Sequence, residues 1–152
     1  MSETQNPVPL LSVVTVVRND LAGLKATMAS LRARLGQPLA QGAVEHVVID
    51  GSTNDEIRNF LLQQAIAPGS WVSEPDRGIY DAMNKGLDRA GGRYVLFMNA
   101  GDVFSSFFDW RLLVPHLRGG SRVLLAYAVE CFGNDRYLRP GLGREGHVFG
   151  AP

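Results

Sequence analysis

A chain of 152 residues, 45% hydrophobic and 20% charged, has room for one domain with an ordinary core, since a chain of this size buries on the order of two-thirds of its unfolded surface. Fifteen Lys and Arg balance fifteen Asp and Glu, which argues against the broad basic field of a nucleic-acid-binding or anionic-membrane-binding protein. The single cysteine, Cys131, excludes an internal disulfide and a multi-cysteine zinc site and fits a reducing, cytoplasmic location.

Residues 1–9, with Pro7 and Pro9 among polar neighbours, read as a flexible leader without the basic and apolar segments of a signal peptide. No later run approaches the ~20 apolar residues of a membrane span. Leu11 to Val17 is rich in β-branched residues without strict alternation, as expected for a strand covered on both faces. After Arg18-Asn19-Asp20, the residues Leu21, Leu24, Met28, Leu31 and Leu35 recur at helical spacing. Asn19 or Asp20 is the expected cap, and Gly36 and Pro38 the expected stop.

Val44 to Ile49 is a second strand, followed by the turn Asp50-Gly51-Ser52-Thr53-Asn54-Asp55 and a helix from about Asp55 to Ala65, closed by Pro68-Gly69. A third strand starts at Trp71. The next helix, Gly78 to Ala90, carries Ile79, Ala82, Met83, Gly86, Leu87 and Ala90 on one face and ends at Gly91-Gly92. Arg93 to Met98 is the fourth strand. This alternation implies an α/β fold, a mainly parallel sheet with helices on both sides and right-handed crossovers.

Phe104 to Leu117 reads as a helix with two apolar stripes, Phe104, Phe107, Phe108 and Leu112 on one and Trp110, Leu113 and Leu117 on the other. Val123 to Glu130 is a further strand, with Arg136 to Leu138 as its expected partner across Gly133-Asn134-Asp135. The rest of the tail, rich in glycine, is assigned no regular structure. The domain is thus drawn over residues 10–132, with an irregular tail at 133–152.

Two carboxylates draw attention. Asp76 and Asp102 each follow an apolar β-like run, so both are expected at the carboxyl ends of neighbouring strands, the edge where open α/β sheets bind ligands. No GxGxxG follows the first strand, and there is no Walker glycine loop or GxSxG elbow, which disfavours dinucleotide oxidoreductases, P-loop kinases and α/β hydrolases.

Four segments in order carry a family resemblance: Leu11-Ser12-Val13-Val14-Thr15-Val16-Val17-Arg18-Asn19; Val48-Ile49-Asp50-Gly51-Ser52-Thr53; Glu74-Pro75-Asp76-Arg77-Gly78-Ile79-Tyr80-Asp81-Ala82-Met83-Asn84-Lys85-Gly86; and Met98-Asn99-Ala100-Gly101-Asp102. Together they resemble the donor-binding half of family 2 glycosyltransferases, in particular the branch that assembles exopolysaccharides of the colanic-acid type. The resemblance implies a GT-A-like (Rossmann-like) α/β/α sandwich that binds a UDP- or GDP-sugar. It also implies that Asp50 and Asp76 hold the nucleoside, that Arg18, Asn84 and Lys85 approach the phosphates or donor sugar, and that Asp102 reaches Mg²⁺ or Mn²⁺ bridging the two phosphates. A hard cation of that kind prefers oxygen ligands. Many relatives carry two or three acids where this chain has Asn99-Ala100-Gly101-Asp102, which leaves Asp102 as the one carboxylate of the motif.

Each residue also has a local explanation. Asp50 can be a turn or cap residue, and Asp76 an acid favoured by a helix N-terminus. Asn99 to Asp102 can be a type I turn, and Asp81, Lys85 and Arg89, four apart, an exposed ion-pair ladder. His46, His116 and His147 are not spaced as a metal cluster, and Cys131 beside Phe132 reads as a small apolar side chain.

Sugar transfer with inversion needs a general base to take the acceptor's proton. In the resembling family that base comes from an acceptor-side segment beyond the matched region, and nothing in Gly133 to Pro152 matches it; Asp135 and Glu145 are the carboxylates there. The resemblance therefore implies an inverting transferase acting on a polysaccharide or lipid-linked acceptor at the inner face of the membrane. The alternatives are a nucleotide-sugar-binding module without turnover and a structural assembly domain, whose aromatic helix would serve as a homodimer or peripheral membrane contact.

Overall fold

All seven residues of β1 (Leu11–Val17) are buried, because strands pair with both its edges and helices cover both its faces. The computed structural model describes residues 8–64, 66, 69–120, 124, 128–132 and 134–139. The chain divides into two compact units, residues 1–104 and 105–152.

The first unit follows the order β1, α1 (Leu21–Ala40), β2 (Val44–Asp50), α2 (Glu56–Gln63), β3 (Trp71–Ser73), α3 (Ile79–Arg89) and β4 (Tyr94–Asn99). Its sheet has the order β3-β2-β1-β4, with every pairing parallel. Asp76 and Asp102 therefore do not follow neighbouring strands as expected. β3 and β4 are the two outer strands of the sheet, because α3 carries the chain back across β2 and β1 before β4 begins. Local pattern marks strands but not their lateral order.

Alternation along the inner strands sorts the core into two layers. Val17 and Val48 pack with Leu24 and Met28 of α1 and Ile57 and Leu61 of α2. On the opposite face Val14, Val16, Val47 and Ile49 pack with Ala82 of α3. This is the α/β/α arrangement that right-handed crossovers produce when the chain reverses direction once. α3 presses Ala82 and Gly86 onto the sheet, while Ile79 and Leu87, expected on its buried face, are exposed.

α1 runs past Gly36 and Pro38, which were expected to end it. Pro38 lies in the last turn, where a missing N–H removes a single hydrogen bond. The helix stops at Gly42, whose φ of 70° suits glycine. Gly42 N–H donates to Leu39 O (3.1 Å) and Ala43 N–H to Pro38 O (2.9 Å), the paired bonds of a Schellman ending.

Under α1, His46 of β2 meets Thr15 Oγ1 through Nε2 at 2.9 Å. Burial, with Arg32 second, lowers its pKa from 6.5 to about 4, so the ring is neutral at pH 7. The folded state then binds fewer protons than the unfolded state between those two values. The stabilisation is complete above about pH 6.5 and is lost as pH falls toward 4, on the order of 3 kcal/mol in all. Denaturant unfolding at pH 7.5 and 4.5 should show this loss in the wild type and a smaller one in His46→Gln. Equal losses would contradict it.

The second unit contains α4 (Trp110–Arg118) and an antiparallel hairpin of β5 (Ala128–Phe132) and β6 (Asp135–Arg139). The pairing of residues near 130 with residues near 137 matches expectation; most of the expected strand before Ala128, and the tail from 140 on, lie outside the described residues. The aromatic helix is shorter than expected. Ser105 closes a turn by accepting from Phe107 N–H through Oγ and from Phe108 N–H through its carbonyl, and Asp109 then caps α4 through Arg111 N–H. Phe104, Phe107 and Phe108 thus precede the helix and form no stripe on it. Phe107 and Leu112 are exposed and Leu117 is buried.

Candidate functional site at the carboxyl edge of the sheet

Three loops leave the carboxyl ends of β1, β2 and β3 side by side. Asn19, the residue after Arg18, has φ of 53°, a left-handed conformation that Asn tolerates better than most residues. Its N–H donates to Ser52 Oγ (2.8 Å), and its Oδ1 accepts from Thr53 N–H (3.0 Å) and Thr53 Oγ1 (3.2 Å). One side chain thereby fastens the loop after β1 to the loop after β2.

Asp50 closes β2 and is wholly buried. Its Oδ1 accepts from Ser52 N–H (2.9 Å) and its Oδ2 from Ser73 Oγ (2.8 Å), so the carboxylate shapes its own turn and ties β2 to β3. Asp76 stands beside that turn. Its Oδ1 accepts from Gly78 N–H at 2.9 Å and lies 3.9 Å from Arg18 Nη1, with the Asp76 side chain 5% exposed and that of Arg18 57%. A Cβ on Gly51 would stand 1.6 Å from Asp76 Oδ2, so the carboxylate occupies the space a side chain at 51 would take. The structure thus brings Arg18, Asp50 and Asp76 together.

Across β1, the loop after β4 carries Asp102. Asp102 Oδ2 accepts from Asn99 N–H (2.8 Å), and Asp102 N–H donates to Asn99 O (2.9 Å). A turn over Asn99–Asp102 is present, but Gly101, its third residue, has φ 97°, which makes it type II rather than the type I expected, and glycine suits that position. α1 holds this loop through Thr27, whose Oγ1 accepts from Gly101 N–H and donates to Asp102 O, and through Ser30, whose Oγ accepts from Phe104 N–H. A Cβ on Gly23 would meet both the Asp20 carboxylate and Gly101 N. Asp20, which caps α1 through Gly23 N–H, therefore sits close to the acidic loop.

Asn84 and Lys85 take different positions. Asn84 is exposed on α3. Lys85 Nζ donates to Pro75 O (2.7 Å) and pairs with Glu74 (3.0 Å) and Asp81 (3.7 Å), which pins the turn holding Asp76 onto α3. Arg77 bonds Asp81 through its backbone N–H and its guanidinium, and these bonds hold the Asp81 carboxyl below its ordinary value.

Among the described residues no group of three or more His, Cys, Asp or Glu could hold a metal by itself. The edge nevertheless presents a cation and a carboxylate on one side of β1 and an exposed acidic loop on the other. The sequence profile of glycosyl transferase family 2 matches residues 12–147. The chain belongs to this family. The glycosyl transferase family 2 chain is 42% identical over 97 residues to an uncharacterised glycosyltransferase of Mycobacterium tuberculosis, covering 64% of this chain and 36% of that protein. It is 32% identical over 97 residues to a PGL/p-HBAD biosynthesis glycosyltransferase of Mycobacterium bovis, covering 62% and 36%. The aligned part thus spans about a third of these relatives' length. The fold is that of GT-A glycosyltransferases. A mannosyltransferase from Pyrobaculum calidifontis in complex with GDP-Man and Mn²⁺ aligns with a TM-score of 0.59 at 19% identity, over 81% of this chain and 36% of that one. S. aureus TarS in complex with UDP-GlcNAc aligns at 0.51 and 19%, over 71% and 30%.

The contacts that Asn19, Gly51 and Thr27 make with these loops are not predicted by the sequence. Asn19 offered one signal, an Asn directly after a strand, where left-handed backbone often falls. Thr27, in the middle of a helix, offered none.

Proposed function

We propose that this chain is the donor-binding part of a glycosyltransferase that takes its sugar from a UDP- or GDP-sugar. The observation carrying the proposal is the division of the carboxyl edge by β1, with Arg18, Asp50 and Asp76 on one side and the Asp102 loop on the other. In this reading Asp76, backed by Asp50, receives donor groups of the base or ribose, and Arg18, more than half exposed, neutralises phosphate charge. Lys85 acts indirectly, by holding the turn that presents Asp76, and exposed Asn84 is available to the donor sugar.

The acidic loop fits a hard cation that brings its own oxygens from phosphate and water. Asp102 is exposed, and its Oδ1 accepts no hydrogen bond among the described residues. A bound Mg²⁺ or Mn²⁺ would supply Lewis-acid neutralisation of the departing diphosphate. The acceptor proposed is a growing polysaccharide or lipid-linked saccharide at the cytoplasmic face of the membrane, with transfer by inversion. Assignment to exopolysaccharide assembly rests on the motif resemblance.

Incubating the purified chain with UDP-GlcNAc or GDP-mannose and Mn²⁺, and following nucleotide diphosphate release by ³¹P NMR, tests the activity. Slow release from one donor supports the transferase. Nucleotide binding without release identifies a donor-binding module, and neither binding nor release from folded protein contradicts the donor site altogether.

A further inference from the structure

The Asn99–Asp102 turn is not held by its own bonds alone. Thr27 lies in the middle of α1 and is fully buried. A buried threonine in a helix commonly returns its hydroxyl to the carbonyl four residues earlier. Here the hydroxyl is aimed out of the helix. It accepts from Gly101 N–H (3.0 Å) and donates to Asp102 O (2.8 Å), with Asn99 O at 3.4 Å. One oxygen thus satisfies two backbone groups of a four-residue turn whose carboxylate is also turned inward through Oδ2 to Asn99 N–H. Gly23 and Ser30 lie one helical turn either side on the same face of α1. Gly23 leaves room for Gly101 N, and Ser30 accepts from Phe104 N–H just beyond the turn.

We propose that Thr27 is a positioning residue for the acidic loop, its hydroxyl fixing the Asn99–Asp102 turn so that Asp102 Oδ1 faces a divalent cation carried by the nucleotide diphosphate. This rests on the donor-site assignment above. The same bonds explain how a loop with one carboxylate can serve. With Asp102 the one carboxylate of the Asn99–Asp102 turn, affinity has to come from Asp102 being held in place rather than from added charge. Residues that orient a metal ligand without touching the metal typically change affinity by about 10- to 100-fold when removed.

The test compares wild type, Thr27→Val, Thr27→Ser, Ser30→Ala and Asp102→Ala. Mn²⁺ binding in the presence of UDP or GDP is read by electron paramagnetic resonance, and metal-free nucleotide binding by calorimetry. Thr27→Val replaces the hydroxyl with a methyl of similar volume, and should weaken Mn²⁺ binding about tenfold or more while metal-free nucleotide binding stays unchanged. Thr27→Ser should restore it, and Ser30→Ala, which releases Phe104 N–H beyond the turn, should weaken it less than Thr27→Val does. If Thr27→Val does not fold, Thr27→Ala carries the same comparison. Wild-type Mn²⁺ affinity in Thr27→Val, together with its loss in Asp102→Ala, would overturn the role of Thr27 and leave the donor site standing. Absence of Mn²⁺ binding in the wild type would overturn the role of Thr27, and absence of nucleotide binding both with and without Mn²⁺ would overturn the donor site as well.

Discussion

Gly86→Ala is expected to destabilise the protein by about 2 kcal/mol and lower Tm by roughly 6 °C. Two effects oppose each other at this site. Alanine is the better helix former, and in the interior of α3 it would gain about 1 kcal/mol over glycine. Its Cβ, however, would stand 2.2 Å from Val14 Cγ1 and 3.3 Å from Ile49 Cγ1. Val14 is fully buried in the central strand and Ile49 in its neighbour, so neither can move aside without disturbing the sheet. Overpacking of this sort costs about 1–3 kcal/mol or more, and the overlap here is deep enough to outweigh propensity. Denaturant unfolding of Gly86→Ala, Val14→Ala and the double variant measures the coupling. The double variant should lose clearly less than the sum of the single losses, because truncating Val14 makes room for the new methyl. A Gly86→Ala protein as stable as wild type would contradict the packing described.

Gly51→Ala should leave the fold intact and reduce UDP or GDP affinity on the order of 100-fold, equivalent to about 2.7 kcal/mol. The added Cβ would fall 1.6 Å from Asp76 Oδ2 and 2.5 Å from its Cγ. The Asp76 carboxylate then has to swing away, giving up its bond to Gly78 N–H and its place beside Arg18. The backbone loses little, since the bond from Gly51 N–H to Val17 O does not involve the new methyl. Asp76→Asn, with the same shape and no charge, separates displacement from lost charge. Calorimetric titration of the three proteins provides the check. Unchanged affinity in Gly51→Ala would show that Asp76 does not touch the nucleotide.

These residues also show what could be read from the chain before its structure. The β/α alternation was legible because each strand is a short β-branched run and each helix has apolar residues at a period of 3.6. The cap of α1 was legible from residue type to within one position, Asn19 or Asp20, and the structure has Asp20. Gly36 and Pro38 predict too early an end for α1, because Pro38 falls where a helix can spare one bond and the left-handed Gly42 that does end it lies four residues further on. Phe104, Phe107 and Phe108 have helical spacing, which predicts a longer aromatic helix than the structure has, because Ser105 turns the backbone ahead of the Asp109 cap. Nothing in the local pattern revealed that β3 and β4 flank the sheet from opposite sides, because lateral order follows from crossovers and packing.

At the site, the carboxylates were legible and their supports were not. Asp50, Asp76 and Asp102 stand out as acids after strands. Asn19, Gly51 and Thr27 act through contacts with residues more than twenty positions away, which no local window contains. The sequence offers Lys85 as a member of an ion-pair ladder and, through the resemblance, as a residue near the phosphates or donor sugar; only the structure reveals that Glu74, Asp81 and the Pro75 carbonyl hold it.

The measurement that bears most directly on the donor site is a thermal-shift titration of UDP and GDP, with Mn²⁺ and then with EDTA, on wild type and Asp102→Ala. A ligand that binds only the folded state stabilises it by about 2.7 kcal/mol at a hundred times its dissociation constant, so even weak binding registers. The predicted result is stabilisation of the wild type by one of the two nucleotides, reduced by EDTA and by Asp102→Ala. No shift from folded wild-type protein with either nucleotide, with or without Mn²⁺, would contradict the assignment of the carboxyl edge as a nucleotide-sugar site.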